Sequence, residues 1–162
     1  MMANSKRADG YIHLLGVNGH VIQRQLDGLS HDDTLLQPDM RGNCANWILG
    51  HINVSRSSLM ERLGLEPVWG ETAAAIYAHD TPPITDATCP HFPLEQLMAD
   101  FTAAGEQIIA RLETISDEEL DADISETNIL AGSVSFTIWH EAYHVGQFEY
   151  LRQLTGVDDK VI

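Results

Sequence analysis

Cysteine, positive charge and long apolar runs are all scarce in this sequence. Its 162 residues include two cysteines, Cys44 and Cys89, which lie far apart and form no C-x-x-C motif. Such a pair is typical of free thiols in a reducing compartment, so we expect a cytoplasmic protein. No apolar run approaches the roughly 20 residues that span a bilayer. No apolar segment follows the basic residues of MMANSKRADG, so neither a membrane span nor a signal peptide is expected.

The shortage of positive charge excludes one class of partner. Nine Lys and Arg face 24 Asp and Glu, which gives a formal net charge of −15. That field repels phosphate backbones and anionic membrane surfaces, so we expect neither nucleic acid nor membrane as a partner. The length and the hydrophobic content of 44% are ordinary for one globular unit. The sequence therefore predicts a single domain over residues 1–162.

Helical periodicity of about 3.6 residues recurs along the chain, whereas strand-type alternation is rare. It predicts four long helices at about 8–29, 43–63, 93–115 and 133–154, a short helix at 71–78 and one helical turn at 116–120. Asn43 and Ser116 are suitable N-caps, Pro93 suits a first helical position, and Gly64 suits a helix end. The linkers at 30–42, 64–92 and 121–132 are long. The fold class is therefore expected to be all-α, a four-helix bundle with long crossover connections.

Three of the eight histidines fall on helix faces that are predicted to line the core. On the last helix, His140 and His144 share a face with Phe136 and Tyr143, and His51 shares the core face of the second helix. A single core histidine is more often hydrogen-bonded than metal-bound. Three together point to a metal, which would satisfy all three buried imidazoles. The other five are predicted to be bystanders: His13, His20, His31, His79 and His91.

The segment HEAYH, residues 140–144, matches the H-E-x-x-H pattern of zinc proteases but lacks their third ligand. The extended form of that motif needs a glycine and a histidine where this chain has Gln147 and Tyr150. The other form needs a glutamate from a later helix, and only Glu149 follows, on the outer face of the same helix. A di-iron site would need a second E-x-x-H, which is missing. A mononuclear site with His51 as third ligand remains.

Three histidines leave one position of a tetrahedral metal open, as in catalytic sites. Imidazole ligands favour zinc or nickel. Water or a thiol in the open position would lose a proton more easily, which would serve hydrolysis or S-transfer. Glu141, at the flank of the histidine face, is predicted either to assist as a ligand's partner or proton acceptor or to be solvated. The alternative to an enzyme is a non-catalytic, stress-associated bundle whose metal only joins two helices.

The same residues carry a resemblance to a known family. The segments NWILGHI, HEAYHVGQ and LRQLTG occur in an order similar to that of the DinB/YfiT-like superfamily of metal-dependent enzymes. The resemblance implies a four-helix bundle, often dimeric, that binds a divalent metal through His51, His140 and His144. It also implies an enzyme acting on a small molecule, either a transferase using a low-molecular-weight thiol as co-substrate or a hydrolase.

Overall fold

The computed structural model describes residues 5–39 and 41–161, and the expectations that fall on residues 1–4, 40 and 162 lie outside it. Its elements in chain order are α1 Lys6–Leu26, α2 His31–Thr34, α3 Ala45–Arg62, α4 Glu71–Ala74, α5 Leu94–Leu112, α6 Asp117–Leu120, β1 Asp123–Ser125, β2 Asn128–Ile129 and α7 Leu130–Leu154. The predicted all-α fold with four long helices is confirmed. The predicted short helix at 71–78 is shorter, as α4, and the turn at 116–120 is α6.

The four long helices pack as a bundle in which α3 contacts α5 and α7, and α1 contacts α7 and α5. The linkers hold more structure than their sequences indicate. Residues 31–34 form a helix with a capping box at Ser30, and β1 and β2 form an unpredicted antiparallel hairpin in the linker before α7. These strands are too short for an alternating pattern to show in the sequence, and β1 is fully exposed.

The buried sides of the long helices follow the 3.6-residue pattern on α1 and α5. On α5, each of the residues that recur at three- or four-residue spacings is at most 2% exposed: Leu97, Phe101, Ala104, Ile108 and Leu112. Burying a leucine, isoleucine or phenylalanine side chain contributes about 1.5–3 kcal/mol. The helix α5 packs on α3 and α1, and α3 in turn packs on α7. The candidate site lies on α3 and α7.

The predicted core face of α7 is wrong in part. Phe136 and Tyr143 were expected inside beside His140 and His144, but they are 58% and 60% exposed. The buried side is centred instead on Val134 and Ile138 and includes two charged residues, Glu141 and Arg152. Their burial rotates the inner face by more than a quarter turn from the face that hydrophobicity alone selects. His140 and His144 consequently lie at the edge of the core.

The outward side of α7 carries an exposed apolar stripe. We call it the α7 stripe and define it as Phe136, Trp139, Tyr143, Tyr150 and Leu154, which are between 46% and 73% exposed. Near its middle lies Gly146, around whose Cα there is open space. The residues of the stripe recur at spacings of three, four and seven. No helix within the described parts of the chain combines the length and apolar character that a bilayer crossing requires.

Candidate metal centre

Helices α3 and α7 bring three histidines to one point. The Nε2 atom of His140 lies 3.1 Å from Nε2 of His51 and 3.1 Å from Nε2 of His144. The nitrogens available as ligands lie within 4.8 Å of one another, and this is the group of ligating residues that the described chain assembles. The structure thus brings together the three residues that the sequence selects as ligands.

The ring of His51 is oriented by the linker between α3 and α5. Its Nδ1 donates to the carbonyl oxygen of Tyr77 at 2.8 Å, and the ring stacks on Trp47 with 4.8 Å between centroids. Tyr77 can lie this close because residue 50 is glycine, where a Cβ would be 2.3 Å from the Tyr77 ring. The Tyr77 hydroxyl donates to Asn46 at 3.0 Å. With its proton on Nδ1, neutral His51 presents a lone pair at Nε2.

The ring of His144 is oriented from its own helix. Its Nδ1 donates to Oε1 of Gln147 at 2.6 Å, one turn further along α7. Neutral His144 therefore also presents a lone pair at Nε2, beside that of His51. The Nδ1 atoms of His51 and His144 thus donate to the Tyr77 carbonyl oxygen and to the Gln147 amide oxygen. Acceptors of this kind fix the tautomer of histidines that bind metals.

His140 shows why the cluster fits a metal. Its Nδ1 is buried without a hydrogen-bond partner in the described structure. If its proton is on Nδ1, three Nε2 lone pairs face one another. If the proton is on Nε2, it can serve only one of two neighbours. A cation satisfies all three lone pairs, and tetrahedral zinc ligands at 2.0–2.1 Å lie about 3.3 Å apart, close to the 3.1 Å separations observed.

The environment keeps the three imidazoles in the neutral form that metals bind. Burial, together with the nearby His144 and His51, lowers the pKa of His140 to about 4. Burial also lowers the pKa of His51 and of His144, although the hydrogen bonds to Tyr77 and Gln147 oppose the change. At neutral pH protons therefore compete weakly for the ligand nitrogens.

Glu141 does not contact the histidines through its hydrogen bonds. It is 1% exposed, and both its carboxylate oxygens accept from Arg56, at 2.9 and 2.8 Å. The expectation of a solvated Glu141 is therefore wrong, and its predicted catalytic role gains no contact in support. The arginine also donates to the carbonyl oxygen of Phe101 at 2.7 Å and lies over that ring. This buried ion pair joins α3 to α7 one residue after His140.

A cavity of about 410 Å³ opens beside the cluster, and His51 and His140 form part of its wall. The helices α3 and α7 form nearly all of this wall, and the linker 64–92 contributes only His79. Its ring centroid lies 6.4 Å from that of His51, and its Nδ1 contacts Oδ1 of Asp80 at 2.9 Å. Residue spacing alone does not select His79, because its position depends on the path of an irregular linker.

The other histidines lie apart from the cluster. His13 and His20 are exposed on α1, on the side away from its apolar face, as predicted. His31 and His91 stack on each other, with 3.0 Å between their Nε2 atoms, and join α2 to the segment before α5. Their remaining nitrogens contact main-chain atoms of Leu94 and Cys89. This pair is satisfied by hydrogen bonds within the fold.

The family model of the DinB superfamily matches residues 18–148, which include all three clustered histidines. The chain belongs to the DinB superfamily. A solved structure, that of a conserved protein from Enterococcus faecalis, has a TM-score of 0.75 with 17% sequence identity, over 93% of this chain and 98% of the other. That likeness shows a shared fold. No curated protein matches this DinB-superfamily sequence.

Proposed function

We propose that this DinB-superfamily protein binds one divalent metal ion through Nε2 of His51, His140 and His144 and uses it in catalysis. The observation that carries the proposal is the convergence of three neutral imidazoles beside an open cavity. Among the described residues, no fourth histidine, cysteine or carboxylate joins the group. Closed structural zinc sites have four protein ligands, whereas catalytic sites keep one position for water or substrate. Imidazole ligands favour zinc or nickel.

The proposed reaction is transfer of a low-molecular-weight thiol to a small electrophile, or hydrolysis of a small molecule. Metal bound by three imidazoles supplies Lewis acidity, which lowers the pKa of a bound thiol or water toward neutrality. In His79, Nδ1 is hydrogen-bonded to Asp80. Its Nε2 is therefore free to accept the proton that the bound thiol or water would lose. The aromatic ring of Phe136 and the hydroxyls of Ser55 and Thr137 line the cavity where the substrate would lie.

The test is activity of the zinc-loaded protein with a panel of small thiols plus an electrophile, and separately with small esters and amides. We expect turnover that a chelator abolishes and that His51→Ala removes. His79→Gln should lower kcat by about 100-fold, as for loss of a general base, without changing metal content. His13→Gln is the matched control and should change nothing. Turnover indifferent to both the chelator and His51→Ala would refute the proposal. Tightly held metal without turnover or an open coordination position would support the non-catalytic alternative.

We also propose that the protein is a homodimer whose two copies pack through the α7 stripe. Monomeric proteins rarely expose contiguous apolar surfaces of this kind. The three- and four-residue spacings let the same face of a second helix interdigitate with it, and Gly146 permits close approach at its middle. The proposed interface is therefore isologous, with one stripe packed on its copy.

Sedimentation should give twice the chain mass of 17.9 kDa for the wild-type protein. Trp139→Glu places a charge in the middle of the α7 stripe and should give a single-chain mass at the same concentration. Leu14→Glu is a matched control, because Leu14 is 48% exposed on α1, outside the stripe. A wild-type protein that sediments as one chain at all concentrations would contradict the homodimer.

A further inference from the structure

The cavity beside the histidine cluster continues as a groove between two antiparallel helices. His51 on α3 lies beside His140 on α7, while Arg62 at the end of α3 contacts Ser133 near the start of α7. All four residues line the same cavity. The groove therefore has a metal end and an arginine end, with Val54, Leu59 and Phe136 along its walls.

Charge is distributed unevenly along this groove. The chain has 24 acidic residues, yet none of the residues lining the cavity is Asp or Glu. Arg7, Arg56, Arg111 and Arg152 are each paired with a carboxylate. Arg62, like Arg24 and Arg41, has no ion pair within the described structure, and of these three it alone lines the cavity. Its hydrogen bond goes to a neutral partner, the Ser133 hydroxyl oxygen, at 2.5 Å. The guanidinium thus retains donors for an anion that the protein itself does not supply.

Ser133 adds a second donor at the same end of the groove. It is 4% exposed, and its oxygen accepts from Arg62 at 2.5 Å and from Asn128 at 3.3 Å. Neither contact uses the hydroxyl proton, which remains available to an acceptor in the groove. Ser58, one turn before Arg62 on α3, contributes another hydroxyl to the lining. A guanidinium with adjacent hydroxyl donors is suited to an oxyanion.

The helices set the length of molecule that would reach both ends. Ser133 and His140 are seven residues apart on α7, which corresponds to about 10 Å along the helix axis. A substrate with its reacting atom at the metal end would therefore carry its anionic group at about this distance.

We propose that the substrate is an elongated anionic molecule, with a carboxylate or phosphate-type group bound by Arg62, Ser58 and Ser133 and its reacting atom at the metal. This inference rests on the metal-dependent function proposed above and specifies its substrate class. The anionic group supplies the negatively charged partner that Arg62 lacks within the described structure. The apolar wall between the two ends of the groove contacts the part of the substrate that joins the anionic group to the reacting atom. Arg62 is a specificity residue, since it selects among substrates without contacting the reacting atom.

The probes are hydroxamates, which bind zinc whether the reaction uses a thiol or water. Each carries a spacer of about two, six or ten methylenes and ends in a carboxylate, a phosphonate or a neutral carboxamide. Their affinities for zinc-loaded protein are measured by calorimetry. We expect the anionic ends to bind about 10-fold more tightly than the carboxamide, a gain of about 1.4 kcal/mol, with the largest preference at the intermediate spacer. The ratio of the carboxylate to the phosphonate distinguishes the two anion types.

Substitution assigns the preference to Arg62. The ratio of the affinity for the anionic probe to that for the neutral probe should fall to about one in Arg62→Gln and persist in part in Arg62→Lys. It should stay unchanged in Arg24→Gln, which removes one positive charge on α1 outside the groove. Equal binding of anionic and neutral probes, or a preference that Arg62→Gln retains, would overturn the inference while leaving the metal-dependent function intact. Failure of every probe to bind would overturn both, since each requires an open metal position beside the groove.

Discussion

Alanine at His51, His140 or His144 is expected to lower the affinity for zinc by at least about 100-fold, above the 10- to 100-fold cost of losing a ligand's outer partner. Each substitution removes one of the three converging imidazole nitrogens. The two that remain lie either both on α7 or one on α3 and one on α7. Competition against a chromophoric chelator measures the affinity, and elemental analysis of the wild type should give one metal per chain. Metal that stabilises the wild type against heating should not stabilise these variants.

The controls are His13→Ala and His20→Ala, which change exposed histidines on α1 and should bind zinc as the wild type does. A second useful control is His31→Ala, because it disrupts the other close histidine pair. Two metals per chain, or unchanged affinity after His51→Ala, would contradict the three-histidine site. Equal losses in the control variants would assign the metal to sites other than this cluster.

Arg56→Ala should destabilise the metal-free protein by about 3–5 kcal/mol, the usual cost of breaking a buried ion pair from one side. It leaves the carboxylate of Glu141 buried at 1% exposure without its two hydrogen bonds. Urea denaturation followed by circular dichroism measures the effect. Arg7→Ala is the matched control: its pairs with Asp117 and Asp121 are exposed to solvent, and such pairs contribute little to stability.

A double variant separates burial of charge from loss of packing. Arg56→Met with Glu141→Leu replaces both charges by apolar groups of similar length, and such replacements are often neutral or stabilising. It should therefore be more stable than Arg56→Ala alone. If Arg56→Ala costs no more than Arg7→Ala, the pair does not hold α3 to α7, and the position of His140 must depend on apolar packing alone.

The sequence predicted the helices and the histidines that cluster because both depend on local spacing. His140 and His144 are one helical turn apart on any helix, and the faces of α1 and α5 repeat apolar residues at that same period. The inner face of α7 was mispredicted because Glu141 and Arg152 are buried by partners on distant segments. Arg56 satisfies the first, and Asp159 with the carbonyl groups of Gln25 and Asp27 satisfies the second. A hydrophobicity pattern contains no information about such partners.

The remaining part of the site could not be predicted from the sequence, for a related reason. His79 reaches the cavity through a linker whose path is set by tertiary contacts, chiefly those of Tyr77 with Gly50 and Asn46. The role of Arg62 depends on which arginines have acidic partners, and this becomes visible only when the helices are packed. Sequence spacing therefore located the clustered histidines but not the groove beside them.

His51 and His144 are oriented in different ways, and this difference has a consequence for how the site can evolve. His144 is held by the side chain of Gln147, so a single codon change there can alter its hydrogen bond and the basicity of its ring. His51 is held by the main-chain carbonyl of Tyr77, an atom that every amino acid possesses. No substitution at position 77 deletes that acceptor, although loss of the aromatic ring can displace it. The α7 side of the centre is therefore open to gradual tuning by point mutation, whereas the α3 side is inherited as a unit with the linker that covers Gly50.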